Sequence, residues 1–114
     1  SESYAWLYPT NFLEVSCISA MEAMAGGCVP VCSTAGALKE TIGAAGILVP
    51  GQPHSGAWQD FYCQVAHGVL ADASGRADLA RAGRERAKTY TWDAAYARWG
   101  SIVEDLLSTS AVAA

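Results

Sequence analysis

Two carboxylates, Glu14 and Glu22, lie eight residues apart across the start of a predicted helix. An apolar, strand-like run at residues 4–8 precedes them, and a second run at residues 28–32 follows. A strand that leads through a short loop into a helix forms an anion site, because the first N–H groups of the helix have no partner within it and the helix dipole favours negative charge there.

The spacing of the two carboxylates predicts an extended ligand. Eight residues cover roughly 12 Å along a helix axis. Phosphates at the helix start would lie between two carboxylates, and carboxylates accept hydrogen bonds from sugar hydroxyls. This pattern fits a nucleotide sugar, with ribose at one end and a transferable hexose at the other. The simpler interpretation is that Glu14 is only a dipole partner and Glu22 only a solvated residue. The neighbours of Glu22 argue against a solvated residue, because they are small and apolar, and buried Glu is rare unless it is paired or functional.

The elements around these carboxylates predict an α/β fold. Short apolar runs alternate with helical stretches in the first half of the chain, which is typical of a parallel sheet with crossover helices. We predict a partial Rossmann-like parallel sheet of about three strands, flanked by helices and followed by a helical C-terminal segment. The predicted strands are residues 4–8, 29–33 and 46–50, and the predicted helices are residues 17–25, 37–42, 58–71, 77–90 and 92–107. Ser16 is the predicted N-cap of the first helix, and Thr91 that of the last, whose predicted core residues are Trp99, Ile102, Val103 and Leu106.

Composition limits the class of protein. The chain has 114 residues, the size of one domain or part of one, and 52% of them are hydrophobic. Its net charge of −4 argues against nucleic acid as a partner. The four cysteines have no zinc-type spacing, which favours a reduced, cytoplasmic setting, and the two histidines have no spaced partner. We therefore predict no metal site.

Five of the seven basic residues lie within residues 76–88. The simpler interpretation of this cluster is a solvated helix face. The alternative is a weak electrostatic contact with an anionic membrane surface, which would place the protein at the inner face of the membrane as a peripheral component.

Several segments, in order, carry a family resemblance. Residues 8–14 (YPTNFLE) and 22–31 (EAMAGGCVPV) resemble the donor-site signature of the family 4 retaining glycosyltransferases. Residues 35–42 (AGALKETI) and 46–49 (GILV) continue it, and residues 83–92 (GRERAKTYTW) are similar to the C-terminal segment of that family. The resemblance implies an enzyme with two Rossmann-like halves that transfers a hexose from a nucleotide sugar to a hydroxyl acceptor. It implies no cofactor and no divalent metal.

The resemblance also implies a place for this chain in such an enzyme. Residues 1–107 would form an incomplete donor-binding C-terminal domain and residues 108–114 a flexible tail, while the N-terminal half of the enzyme would be missing. Glu14 would face the donor sugar at the reacting centre, and Glu22 would accept the ribose hydroxyls. The diphosphate would bind the backbone amides of Val15, Ser16, Cys17 and Ile18, and Gly36 and Glu40 would lie on the neighbouring turn.

Two departures from the family pattern leave an alternative open. Many members have Gly-aromatic-Gly after the first glutamate, where this sequence has Val15-Ser16-Cys17, and the upstream Arg and Lys that hold the diphosphate are missing. The alternative function is a non-catalytic α/β nucleotide-binding module, or a module that self-associates through unpaired sheet edges.

Overall fold

A parallel three-stranded sheet, whose strands lie side by side in chain order, forms the centre of the molecule. The computed structural model describes residues 3–113. Ala5 pairs with Val29 and Val31 pairs with Ile47, and the predicted α/β fold is confirmed. In chain order the elements are β1 (Ala5–Tyr8), α1 (Ile18–Ala25), β2 (Val29–Ser33), α2 (Leu38–Ile42), β3 (Ile47–Val49), α3 (Gly56–Ala71), α4 (Ala73–Ala87), a 3-10 turn (Lys88–Tyr90) and α5 (Trp92–Ala113).

The central strand β2 is buried along its whole length, because helices cover both faces of the sheet. Successive side chains of a strand point to opposite faces. Cys32 packs with α1 and α2 on one face, where burial raises the pKa of its thiol to about 12. Val31 packs with α3 on the other face, and the Tyr62 hydroxyl of α3 donates a 2.6 Å hydrogen bond to the Val31 carbonyl. Burial also raises the pKa of Tyr62 to about 12.

Caps set the helix starts, and three of them differ from the predictions. The N-cap of α1 is Cys17 rather than Ser16, and no side chain accepts a hydrogen bond from the first turn. Helix α3 begins at Gly56 because the Ser55 hydroxyl accepts from the Trp58 N–H at 3.2 Å. Helix α4 begins at Ala73, four residues earlier than predicted, because the Asp72 carboxylate accepts from the Gly75 N–H at 2.9 Å.

The basic cluster lies on α4 and the 3-10 turn, and most of its cations hold contacts within the chain. The Arg76 guanidinium lies 4.6 Å from the centre of the Tyr4 ring, and Arg86 Nε donates to the Thr41 carbonyl at 2.7 Å. Arg81 and Lys88 form exposed ion pairs with Asp78 and Glu85 at 2.8 and 2.7 Å. The structure thus gives these side chains structural partners, and the membrane contact stays a prediction.

Helix α5 differs most from the prediction. Thr91 is its N-cap as predicted, since the Thr91 hydroxyl accepts from the Ala94 N–H at 3.2 Å. The prediction that the helix ends at residue 107 is wrong, because it continues to Ala113, the last described residue. No residue of α5 is buried, so the prediction of a core at Trp99, Ile102, Val103 and Leu106 is also wrong. Its contacts with the rest of the chain lie at its start, and the molecule is elongated, 61 × 30 × 17 Å.

Candidate functional site

The loop between β1 and α1, residues 9–17, lies at the carboxyl end of the sheet. Ligands of open parallel sheets bind at this end, outside the strands. Two hydrogen bonds to the neighbouring turn hold the loop in place. The Ser33 hydroxyl at the end of β2 donates to the Thr10 carbonyl, and the Ala37 N–H donates to the Glu14 carbonyl at 2.6 Å. The position of Glu14 is therefore coupled to the turn between β2 and α2.

Gly36 allows this close approach of the two loops. Its φ of +55° lies in the left-handed region, which disfavours residues with a Cβ. A Cβ at this position would lie 2.4 Å from both the backbone nitrogen and the backbone oxygen of Glu14. The predicted place of Gly36, on the turn beside the loop, thus agrees with the structure, which gives it a contact with the Glu14 backbone.

A hydrogen bond orients the Glu14 carboxylate. The Tyr8 hydroxyl at the end of β1 donates to Glu14 Oε1 at 2.6 Å, and this bond raises the pKa of the Tyr8 hydroxyl. The Tyr8 ring is itself stacked on Trp6, with ring centres 4.7 Å apart. Glu14 is half-buried, and its second carboxylate oxygen makes no hydrogen bond to any residue from 3 to 113. That oxygen is available to a ligand.

A cleft of about 390 Å³ opens between the end of β1 and the start of α1. Within residues 3–113, the backbone N–H groups of Ile18 and Ser19 donate no hydrogen bond, because Cys17 provides no side-chain cap. These amides carry the positive end of the α1 dipole. The cleft is lined by Trp6, Tyr8, Glu14, Ser16, Cys17, Ile18 and Ser19. We call it the β1–α1 cleft.

The structure brings four of the predicted site residues together in the lining of the β1–α1 cleft: Glu14, Ser16, Cys17 and Ile18. Val15 is in the same loop, but it is exposed and does not line the cleft. The remaining three predicted residues, Glu22, Gly36 and Glu40, also lie outside the lining.

Glu22 lies one turn further along α1, and its side chain is exposed. The expectation that its apolar neighbours shelter it is therefore wrong, because the residues that turn inward from α1 are Ala20 and Met24. Glu40 lies on α2, where it is exposed and its carbonyl accepts a hydrogen bond from Arg86. The roles of both carboxylates stay predictions.

Three residues of the cleft, Trp6, Tyr8 and Ser19, are not among the site residues that the sequence predicts. The two aromatic residues are two positions apart on a strand, so they share one face. That spacing is a signal in the sequence, and it could have identified them as a wall of the site.

A second, larger groove of about 700 Å³ adjoins the cleft. It lies between α1, the 3-10 turn and the first two turns of α5. Ser16 and Ile18 line both spaces, and Arg98 lines the larger groove together with Trp92 and Trp99. We call it the α1–α5 groove.

Within residues 3–113, no cluster of three or more His, Cys, Asp or Glu residues is arranged to bind a metal ion. No helix in that part of the chain has the length and apolar character needed to cross a bilayer.

Comparison with known proteins identifies the type of fold. No protein-family model matches the sequence, and neither does any curated protein sequence. A solved structure does match: sucrose-phosphate synthase from Thermosynechococcus elongatus, with a TM-score of 0.70 and 27% sequence identity. The similarity covers 90% of this chain and 25% of that chain. The chain has a glycosyltransferase-like fold. The fold is Rossmann-like, and the chain spans about a quarter of the protein it resembles.

Proposed function

We propose that this chain is the donor-binding part of a retaining hexosyltransferase that uses a nucleotide sugar and a hydroxyl acceptor. The observation that carries the proposal is the β1–α1 cleft, where the Glu14 carboxylate and the unpartnered amides of α1 face one space. The glycosyltransferase-like fold supports the same function, because the cleft lies at the end of the sheet where such folds bind ligands.

The amides of Ile18 and Ser19, at the start of α1, suit a diphosphate. Two free N–H groups and the helix dipole favour an anion there. Negative charge grows on the diphosphate as the bond to the sugar breaks, and donors already in place stabilise that charge. The residues that line the cleft include no Lys or Arg. We therefore propose that further positive charge comes from the N-terminal half of the enzyme.

The Glu14 carboxylate suits the donor sugar. A carboxylate offers about four lone-pair positions, and the Tyr8 hydroxyl occupies one of them on Oε1. The remaining positions can accept hydrogen bonds from sugar hydroxyls next to the reacting carbon. Because Tyr8 and the Gly36 turn both fix Glu14, the carboxylate is oriented before the donor binds.

Glu22 suits the ribose. It lies four residues beyond Ile18, about 6 Å further along α1. An exposed carboxylate at that distance can accept hydrogen bonds from the two ribose hydroxyls once the diphosphate binds at the start of the helix. In the transfer step, the bond between the sugar and the diphosphate breaks, the acceptor oxygen bonds to the sugar, and the proton of the acceptor hydroxyl passes to the departing diphosphate. We propose that the acceptor binds the N-terminal half, so this chain alone binds a donor without transferring its sugar.

The test compares a nucleoside diphosphate with the corresponding nucleotide sugar, by isothermal titration calorimetry on single variants. Glu22→Ala should weaken both ligands by about 1–3 kcal/mol, because a charged acceptor to two hydroxyls is lost. Glu14→Ala should weaken only the nucleotide sugar. Glu104→Ala, an exposed carboxylate on α5, is the control and should change neither. Equal losses for both ligands in Glu14→Ala would contradict the assigned roles.

A further inference from the structure

Arg84 is the member of the basic cluster on α4 whose charge has no partner within residues 3–113. The other four basic residues of the cluster hold carbonyl, carboxylate or aromatic partners in that part of the chain. The Arg84 guanidinium makes neither a hydrogen bond nor an ion pair there. A guanidinium carries five N–H donors in a planar fork, so these donors are available to a ligand.

Packing holds the Arg84 guanidinium in place. It lies over the backbone of Gly27, in the turn between α1 and β2. A Cβ at Gly27 would lie 2.5 Å from Arg84 Cζ and 2.9 Å from Arg84 Nε, so a glycine is needed to leave room for the side chain. Helix α4 is itself packed closely on α1, because a Cβ on the buried Gly83 would lie only 3.4 Å from the Met24 side chain. The charge is therefore positioned without a carboxylate.

A cleft of about 290 Å³ contains a second guanidinium, that of Arg76, beside Arg84. Arg76 Nη1 donates to the Val69 and Leu70 carbonyls at the end of α3, and Arg76 Cζ lies 4.6 Å from the centre of the Tyr4 ring. These contacts fix Arg76 and leave its Nη2 without an acceptor among the described residues. The rest of the lining consists of Tyr4 and small residues: Gly27, Ala73, Ala77 and Ala80. We call this space the α4–β1 cleft.

The lining of the α4–β1 cleft has two positive charges and no Asp or Glu, although the chain has a net charge of −4. Two cations that line one space repel each other, and an anion between them would turn that repulsion into attraction. The cleft lies at the amino end of the sheet, beside the residues that precede β1 and β2. It is therefore separate from the β1–α1 cleft at the carboxyl end, and its occupant does not depend on the proposed donor site.

We propose that the α4–β1 cleft binds the phosphate group of a phosphate monoester between Arg84 and Arg76. The planar fork of Arg84 matches two oxygens of a phosphate. A phosphate monoester carries a charge of about −1.5 to −2 at neutral pH, which balances two guanidinium groups, whereas a carboxylate balances one. The Tyr4 hydroxyl, which has no hydrogen-bond partner within residues 3–113, can donate to the third oxygen. The alanines of α4 leave room for the group that carries the phosphate.

A titration of the folded, ¹⁵N-labelled chain with glycerol 3-phosphate, followed by NMR at constant ionic strength, tests the proposal. The largest shift changes should occur at the Gly27 and Ala77 amides and at the Arg84 Nε–H. Arg84→Gln should weaken binding about tenfold, because a charged, two-pronged hydrogen bond is lost. Arg84→Lys keeps the charge without the fork, so its affinity should lie between those of Arg84→Gln and the wild type.

Arg81→Gln is the matched control, because it removes the same charge from an exposed position of α4 that is paired with Asp78. It should leave the affinity almost unchanged. Equal losses in Arg81→Gln and Arg84→Gln would overturn the proposal, since they would indicate general attraction to the basic helix. The absence of any shift would also overturn it. Shifts confined to Ile18 and Ser19 would place the phosphate in the β1–α1 cleft, which contradicts this proposal and leaves the proposed donor site intact.

Co-sedimentation with phosphatidylcholine vesicles, with and without phosphatidic acid, distinguishes two sources of the phosphate. Phosphatidic acid presents a phosphate monoester on a membrane surface, and glycerol 3-phosphate presents the same group in solution. Binding to the vesicles with phosphatidic acid that Arg84→Gln abolishes and Arg81→Gln preserves would assign the cleft to a lipid headgroup. Binding of glycerol 3-phosphate without binding to either type of vesicle would assign it to a soluble phosphate monoester.

Discussion

Gly36→Ala tests whether the two loops at the carboxyl end of the sheet are as close as the structure indicates. The added Cβ would lie 2.4 Å from the Glu14 nitrogen and oxygen and 2.7 Å from the Leu13 carbonyl carbon. All three atoms belong to the backbone, so no flexible side chain can move aside. The backbone conformation at φ +55° is also unfavourable for alanine.

The loss of stability expected for Gly36→Ala has two parts. A left-handed conformation costs a residue with a Cβ about 1–2 kcal/mol. Steric overlap in a well-packed region adds about 1–3 kcal/mol. We therefore expect the free energy of unfolding to fall by about 2–5 kcal/mol. Gly68→Ala is the matched control, because Gly68 lies within α3 and its Cβ would meet no atom within 4 Å. It should stabilise the chain by about 0.5–1 kcal/mol, since alanine favours the helix.

Urea denaturation followed by circular dichroism measures both variants under one protocol. The free energy of unfolding should fall in Gly36→Ala and rise in Gly68→Ala. If Gly36→Ala destabilises the chain by less than about 1 kcal/mol, the contact between Gly36 and the Glu14 backbone is not as close as described. A folded Gly36→Ala chain should also bind a nucleotide sugar more weakly, because the substitution displaces Glu14.

Three further predictions concern named side chains. Tyr62→Phe should lower the free energy of unfolding by about 0.5–1.5 kcal/mol at neutral pH, because the hydrogen bond from the Tyr62 hydroxyl to the buried Val31 carbonyl is lost. Since the folded pKa of Tyr62 is raised to about 12, the wild-type chain should lose stability as the pH rises from 10 towards 12, and urea titrations should show a smaller loss in Tyr62→Phe. Met24→Ala should lower the free energy of unfolding by about 2–5 kcal/mol, because Met24 is fully buried. Met21→Ala, at a half-buried position one turn earlier on α1, should lower it less, and thermal unfolding compares the two variants. Tyr8→Phe should weaken binding of a nucleotide sugar severalfold and leave binding of a nucleoside diphosphate unchanged, because only the orientation of Glu14 is lost. Calorimetry with both ligands measures the two affinities, and a general loss of fold would weaken both.

The parts of the fold that the sequence predicts well are those with strong local signals. Strand β2 was predicted with its observed bounds, Val29–Ser33, because an apolar run between glycine and polar residues fits only a buried strand at that length. Thr91 was correctly predicted as a cap, since a hydroxyl residue before a periodic segment is a helix start. These signals are independent of the rest of the fold.

The predictions that failed depend on contacts that the sequence does not reveal. Apolar periodicity predicts that Trp99 and Val103 face a partner, but it does not tell whether that partner belongs to the same folded unit. The neighbours of Glu22 are apolar, yet only the side of α1 that carries Ala20 and Met24 turns inward. Successive residues of a helix lie about 100° apart, so apolar neighbours in the sequence do not place Glu22 on the buried side.

The candidate site was predicted in part. Glu14 and the start of α1 follow from the carboxylate and from the strand–loop–helix order, and the structure places them in one cleft. The hydrogen bond from Tyr8 and the approach of Gly36 could not be predicted, because both depend on how the loop of residues 9–17 folds back over the sheet edge.

Ligand-observed NMR on the folded chain, with a mixture of UDP-, GDP- and ADP-sugars, tests the central claim most directly. We predict saturation-transfer signals from both the nucleotide and the sugar of one donor, and the loss of the sugar signals in Glu14→Ala. A folded chain that gives no signal from any donor at millimolar concentration would contradict the proposal that the β1–α1 cleft binds a nucleotide sugar.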